Sequence, residues 1–278
     1  MKYLYLIILL ILLIIIFNNY DYFNKGYSGR VYALEGYSGC VYALEGYKNE
    51  PYITVFAKNG LNNKLRVVLS YLYKANKEKK KLRVYWIPDN ECDEIFDNLF
   101  EPIKNVEFIY KYDNNNKIFD YNTCYSYNND YIKDNYYKLL KPLLSIKKLI
   151  NVYLLKLKNK FIACHIRRTD LDARFNSPSY TWYKHKTDDE YINFINKYDN
   201  TYKIFLATDN IETQDKFKQL YGDRLICNPI SSNNKLRQTS IQDAVVDMYV
   251  CSYANDFLGT IGSSFSSTIN YLRKINTK

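Results

Sequence analysis

Apolar positions follow two rhythms along the chain after residue 50. Short β-branched and aromatic runs have the length of buried strands: Tyr52–Ala57, 82–86, 106–110, Phe161–Ile166, Lys203–Thr208 and 256–261. Between them apolar residues recur at helical spacing. Leu65, Val68, Leu69 and Leu72 form one such face, and Tyr191, Phe194, Ile195 and Tyr198 form another. Residues 213–221 predict a further helix. Ile241, Ala244, Val245, Met248 and Cys251 predict one over 240–253, and the Gly-Ser run from Gly262 opens the last. Strands alternating with helices predict an α/β fold. Residues 111–135, rich in Asn, Asp and Tyr, read as a long loop. The basic run 74–83 reads as the solvated end of a helix.

The first 50 residues follow neither rhythm. Residues 3–20 carry no charge, and 4–17 is almost all Leu and Ile. A bilayer span needs about 20 apolar residues, so the run sits at the short end of that length. Lys2 precedes it, and it ends Ile16-Phe17-Asn18-Asn19-Tyr20, without the small residues of a cleavage site. The expectation is an uncleaved signal anchor over 1–24 in a single-pass type II membrane protein, with the short positive end in the cytoplasm and the rest of the chain lumenal. A cleaved signal peptide is the alternative. Gly26 to Glu35 and Gly36 to Glu45 are a ten-residue tandem duplication that differs only at Arg30 and Cys40. Two copies of ten residues build no solenoid, so 25–50 reads as a stem.

Composition changes the picture little. The chain has 278 residues, a formal net charge of +10 and 31 tyrosines. Lys, Asn, Ile and Tyr share AT-rich codons, which accounts for much of the basic and aromatic excess. No nucleic-acid motif accompanies the charge, so no nucleic-acid partner is expected. The six cysteines form no C-x-x-C pair, and the two histidines, His165 and His185, complete no zinc spacing. Cys164 and Cys251 lie in apolar runs and read as buried thiols.

The chemistry concentrates in the second half. After the strand Phe161–Ile166 come Arg167, Arg168, Thr169 and Asp170. Ligands of open α/β sheets bind at the C-terminal ends of strands, and guanidinium forks match phosphate oxygens. Arginine there stabilises the charge that develops on a diphosphate leaving group. Alternation along a strand gives the two arginines different jobs: one for phosphate, the other to brace the loop or pair with Asp170. A surface salt bridge is the plainer alternative.

Asp209 ends the next strand, where it can accept from a ribose or base, or cap the following helix. Asp243 and Asp247 fall four apart on their predicted helix. Ser263, Ser264, Ser266 and Ser267 offer hydroxyls at a helix start that suits phosphate, or simply cap it. In the first half, Gly60, Asn62, Asn63 and Arg66 mark a strand-to-helix turn with donors for an anion or a sugar hydroxyl. A cysteine-phosphatase loop fails, because the position six after Cys164 is Asp170. Asp170 and Asp172 make a D-x-D, but the neighbouring arginines already supply positive charge, so no metal is expected. The serine nucleophile elbow is absent around Gly262.

Taken in order, His165-Ile-Arg-Arg-Thr-Asp170, Phe205-Leu-Ala-Thr-Asp209-Asn210, Val246-Asp247-Met248 and Gly262-Ser-Ser-Phe-Ser266 resemble the fucosyltransferase superfamily. That group includes α-1,6-fucosyltransferases, nodulation fucosyltransferases and protein O-fucosyltransferases. The likeness covers 162–272, with a looser one at Gly60-Leu-Asn-Asn-Lys-Leu-Arg66. It implies a GT-B-like fold of two Rossmann-like halves, 51–150 and 151–278, the second binding the nucleotide sugar. It also implies an inverting glycosyltransferase with GDP-fucose as co-substrate, no other cofactor, and a glycan or glycoprotein acceptor. By position, Arg167 would contact the diphosphate, with Arg168 and Asp170 beside it as catalytic residues. His165, Asp209 and Asp247 would help hold the nucleotide. Ser264, Phe265 and Ser266 would lie near the phosphates, and Asn62 and Asn63 would meet the donor from the first half. The α-1,6 enzymes carry a lysine and a glutamate soon after the Asp170 position, whereas this chain reads Leu171-Asp-Ala-Arg-Phe-Asn176. That leaves Asp170 or Asp172 as general base, and leaves open a non-catalytic, membrane-anchored relative or a transferase for another nucleotide sugar.

Overall fold

The computed structural model describes residues 42–43, 51–111, 119–127, 136–158, 160–169, 186–230 and 239–276. It divides into two units, Met1–Asn49 and Glu50–Lys278. In the first unit the described part is the two-residue strand Tyr42–Ala43. The expected anchor, the rest of the stem, Asp170 and Asp172 lie outside the described residues. Among the described residues no helix is long and apolar enough to cross a membrane.

The second unit is α/β. It runs β1 (Tyr52–Ala57), α1 (Leu61–Lys77), β2 (Lys81–Tyr85), β3 (Val106–Ile109), β4 (Tyr121–Thr123), α2 (Leu144–Leu157), β5 (Phe161–Ile166), α3 (Asp188–Ile195), β6 (Lys203–Thr208), α4 (Ile211–Tyr221), β7 (Leu225–Cys227), α5 (Ile241–Ser252), β8 (Asp256–Leu258) and α6 (Ser264–Asn276). Within this unit the first sheet is ordered β4-β1-β2-β3 and the second β7-β6-β5-β8. Every pairing among these strands is parallel. In each sheet three successive strands step outward one way, and the last returns to the far side of the first. The order therefore reverses between β1 and β4, and between β5 and β8. Such switch points open a crevice at the strands' C-terminal ends.

Strand alternation builds the core. On β5, Phe161 and Ala163 join the main apolar cluster, while Ile162, Cys164 and Ile166 join a second cluster with Tyr191 and Ile195 of α3 and Phe217 of α4. The main cluster runs through both sheets, from Ile53, Val55, Leu82 and Val84 to Phe205, Val245, Met248 and Leu272. Trp86 is buried in it, and its indole Nε1 donates to the Glu94 carbonyl at 2.9 Å. Tyr137 stacks on Tyr271, and the Tyr249 hydroxyl bonds the Leu140 carbonyl, which ties segments of the two halves together.

The structure adds α2 and β7, which the sequence pattern did not mark, and two other segments depart from the sequence reading. The long loop 111–135 contains β4, a three-residue strand that pairs with β1. The basic run 74–83 is not all helix: α1 stops at Lys77, and Lys81, Leu82 and Arg83 belong to β2.

Candidate active site

The C-terminal ends of β5, β6, β7 and β8 assemble four groups of polar residues along one edge of the second sheet. At the β5–β8 switch point, Thr260 Oγ1 donates to the His165 carbonyl at 2.9 Å and accepts from Arg167 N at 3.0 Å. The Tyr191 hydroxyl reaches the same pair, 3.2 Å from Thr260 Oγ1 and 3.3 Å from the His165 carbonyl. Burial pushes that phenol up to about 12, so it stays a neutral hydrogen-bonding strut. These bonds fix the backbone from which Arg167 departs.

His165 faces α6. Its Nδ1 lies 2.7 Å from Ser266 Oγ, and its ring lies 4.6 Å from that of Phe265. The turn before α6 bends through Gly262, whose φ of 68° suits glycine. Ser264 starts α6 and Ser263 precedes it, so the free N–H groups of a 13-residue helix open beside His165. Among the described residues, Ser263 Oγ and, at the end of β6, Thr208 Oγ1 are buried without a hydrogen-bond partner. Native proteins seldom leave buried hydroxyls unpaired, so two orphans at these strand ends point to a ligand that would complete them.

Arg167 is tied through its backbone N–H to Thr260. Arg168 turns to the α3 side, where its Nη2 meets Asp188 Oδ1 at 2.6 Å and its Nη1 donates to the Lys186 carbonyl at 3.3 Å. Burial would raise the Asp188 carboxyl, but hydrogen bonds from Lys216 and Arg168 outweigh it and hold the group below the usual carboxylate range. Asp209 is buried. Its Oδ1 accepts from Arg168 N at 2.8 Å and its Oδ2 from Thr169 Oγ1 at 2.8 Å. The cap of α4 is not Asp209 but Asn210, whose Oδ1 accepts from Thr213 N at 2.8 Å. Asp209 therefore clamps the arginine loop.

Asp247 is buried on α5, at the end of β7 rather than among the arginines. Its Oδ1 accepts from Asn228 Nδ2 at 2.5 Å, and the Asn228 carbonyl accepts from Gln214 Nε2 at 2.7 Å. Burial drives the Asp247 carboxyl well above its usual range, against the Asn228 bond, which lowers it. A raised folded-state value means that the folded protein keeps a proton the unfolded chain releases. The stability it contributes is present at acid pH and is lost as pH climbs from the ordinary carboxylate range towards the raised value. Asp247→Asn is expected to match the parent near pH 4 and to exceed it in urea midpoint near pH 7. Equal midpoints at both pH values would show that no such proton is held.

Asn62 and Asn63 start α1 in the first half, after the β1 end. Asn62 is buried, and among the described residues its Oδ1 has no hydrogen-bond partner. Arg66, one turn on, is used structurally: its Nε and Nη2 both donate to the Cys124 carbonyl, at 2.9 and 2.7 Å. Among the described residues no three His, Cys, Asp or Glu side chains are grouped as a metal site.

Sequence reasoning missed Thr260, Tyr191, Asp188 and Asn228. All four act across elements, on partners 93, 26, 20 and 19 residues away along the chain, and no local pattern carries such pairings.

The structure is similar to solved fucosyltransferases at low identity. The NodZ α-1,6-fucosyltransferase soaked with GDP-fucose matches with a TM-score of 0.55 and 15% identity over 80% of this chain and 92% of that one. POFUT1 in complex with GDP-fucose matches with a TM-score of 0.57 and 12% identity over 82% of this chain and 95% of that one. NodZ from Bradyrhizobium gives a TM-score of 0.54 and 14% identity over 78% and 92% of the two chains. No curated protein sequence matches. The family model for GDP-fucose protein O-fucosyltransferases matches residues 44–276. With most of its length inside that match, and with parallel sheets that present arginines and helix N–H groups at a switch point, the chain belongs to the GDP-fucose protein O-fucosyltransferase family.

Proposed function

We propose that the protein transfers fucose from GDP-fucose to a hydroxyl of a glycan or protein acceptor, with inversion and without a metal. The observation that carries the reading is the β5–β8 switch point, where Arg167 leaves a backbone fixed by Thr260 beside the open N-terminus of α6. In this reading the fold is GT-B-like, and the strand ends of the two sheets face a shared donor cleft. The diphosphate lies between Arg167 and the Ser264–Ser266 turn, where a fork and aligned N–H groups stabilise the charge that grows on the leaving oxygen. His165 holds Ser266 in place, and Asp209 with Arg168 keeps the loop from collapsing onto its own charges. Asp247 and Asn228 offer an acceptor and donors to the guanine edge. Asn62 completes its hydrogen bonds on the donor from the other half.

The apolar run 4–17 fits a type II anchor that keeps this domain on the lumenal side of a membrane, near glycoprotein acceptors.

Melting the full-length protein with GDP, UDP, CMP or no ligand, in EDTA, tests the donor reading. GDP alone is expected to raise Tm. No shift with any nucleotide from a folded sample would move the assignment to a relative that has lost the donor.

A further inference from the structure

We propose that the outer face of α2 is a docking surface for a bilayer of anionic phospholipid. The inner side of this helix is accounted for. Ile146, Ile150 and Leu157 are buried in the main cluster, and Tyr153 packs edge-on against Phe205 at 5.7 Å. The outer side is apolar as well: Leu144 is 67% exposed, Leu149 46%, Val152 45% and Leu155 78%. At helical spacing Leu144, Lys148, Val152 and Leu155 fall in one stripe, with Leu149 and Lys156 along its flank. Scattered exposed leucines are ordinary, but four on one helix face form a patch, and such patches mark interaction sites.

Charge names the occupant. Residues 136–160 hold seven lysines and no Asp or Glu. Lys147 is spent on Glu101, 2.5 Å away. Lys148 and Lys156 are exposed in and beside the stripe. Lysine stems lie along apolar surface while their ammonium groups reach for water or phosphate. A basic helix of this kind lies in a membrane interface, with leucines at the acyl boundary and lysines on the headgroups. A second copy of this chain fits poorly, because it would set these lysines against their own kind. The apolar run 4–17, proposed above as an anchor, would bring the domain to such a surface, and stable membrane attachment takes two signals. Neither the donor site nor the transfer chemistry enters this contact.

The test inserts the full-length protein into vesicles of phosphatidylcholine alone, or of equal parts phosphatidylcholine and phosphatidylserine. Both carry a trace of lipid with a diazirine on its acyl chain. After illumination, mass spectrometry locates the lipid adducts along the chain. Adducts on 144–156 are expected in the mixed vesicles, and about fivefold fewer or less in phosphatidylcholine alone. Leu144→Glu combined with Leu155→Glu is expected to remove them while leaving Tm unchanged, since both side chains lie in solvent. Lys148→Gln combined with Lys156→Gln keeps the stripe and is expected to bring the mixed vesicles down to the level of phosphatidylcholine alone. Mixed vesicles that label no residue of 144–156 overturn the proposal, whether or not 4–17 is labelled. Equal labelling in both vesicles removes anionic lipid as the partner. Labelling that survives the double glutamate variant overturns the stripe as the contact. Protein–protein cross-links between the 144–156 segments of two molecules would give the face to a second copy instead.

Discussion

Arg167→Ala is expected to lose the GDP-dependent rise in Tm and to lower fucose transfer by about 10²–10³-fold, or about 2.7–4 kcal/mol of transition-state stabilisation. The magnitude follows from the charge Arg167 would meet. A diphosphate gains negative charge as the sugar departs, and a guanidinium held there needs no reorganisation. Arg167→Lys should recover little, because a point charge does not reproduce a fork that spans two oxygens. The neighbouring variant is the control. Arg168→Ala removes the contact with Asp188, so it should lower stability and leave the GDP shift in place. A GDP shift that survives in Arg167→Ala and vanishes in Arg168→Ala would reverse the two roles.

Gly259→Ala is expected to lower stability by about 1–3 kcal/mol, the usual range for overpacking, and to weaken GDP binding at the same time. A Cβ on Gly259 would stand 2.6 Å from Ser266 Oγ, 2.7 Å from Ser266 Cβ and 2.9 Å from Phe257 Cε1. Ser266 cannot yield without leaving His165, and it sits in the first turn of α6, so the shift passes into the free N–H groups at the helix start, where the proposed diphosphate would lie. Thermal melts with and without GDP measure both effects. An unchanged Tm would mean that the β8–α6 corner absorbs a methyl without strain.

Gly259 also shows what a sequence reading can and cannot see. The strands Phe161–Ile166 and Lys203–Thr208 were legible because two-sided burial demands continuous apolar runs, and Tyr52–Ala57 was legible as an apolar run although only Ile53, Val55 and Ala57 of it are buried. Of the helices that pack on them, α1, α3, α4, α5 and α6 were legible and α2 was not. Asp209 stood out as a polar residue just past an apolar run, and Ser266 as part of a Gly-Ser run that opens a helix. What Asp209 touches was not legible: its oxygens clamp Arg168 and Thr169, while Asn210 takes the cap. The strand Tyr121–Thr123 hid in an Asn- and Tyr-rich stretch because it is short and only Thr123 is buried. The need for glycine at 259 arises from a helix that starts after the strand it follows, and only the fold brings Ser266 against it.

The continuous apolar core through both sheets has a consequence for recombination. Residues from β1 and β2 share one cluster with residues from β6, α5 and α6, so the seam between the halves is interior rather than surface. A chimera that takes one half from a relative would inherit a mismatched interior, and exchanging the Tyr137–Tyr271 and Leu140–Tyr249 partners together would be the first requirement for such a hybrid to fold. New acceptor specificity is therefore reached more readily through the loops at the strand ends than by trading whole halves.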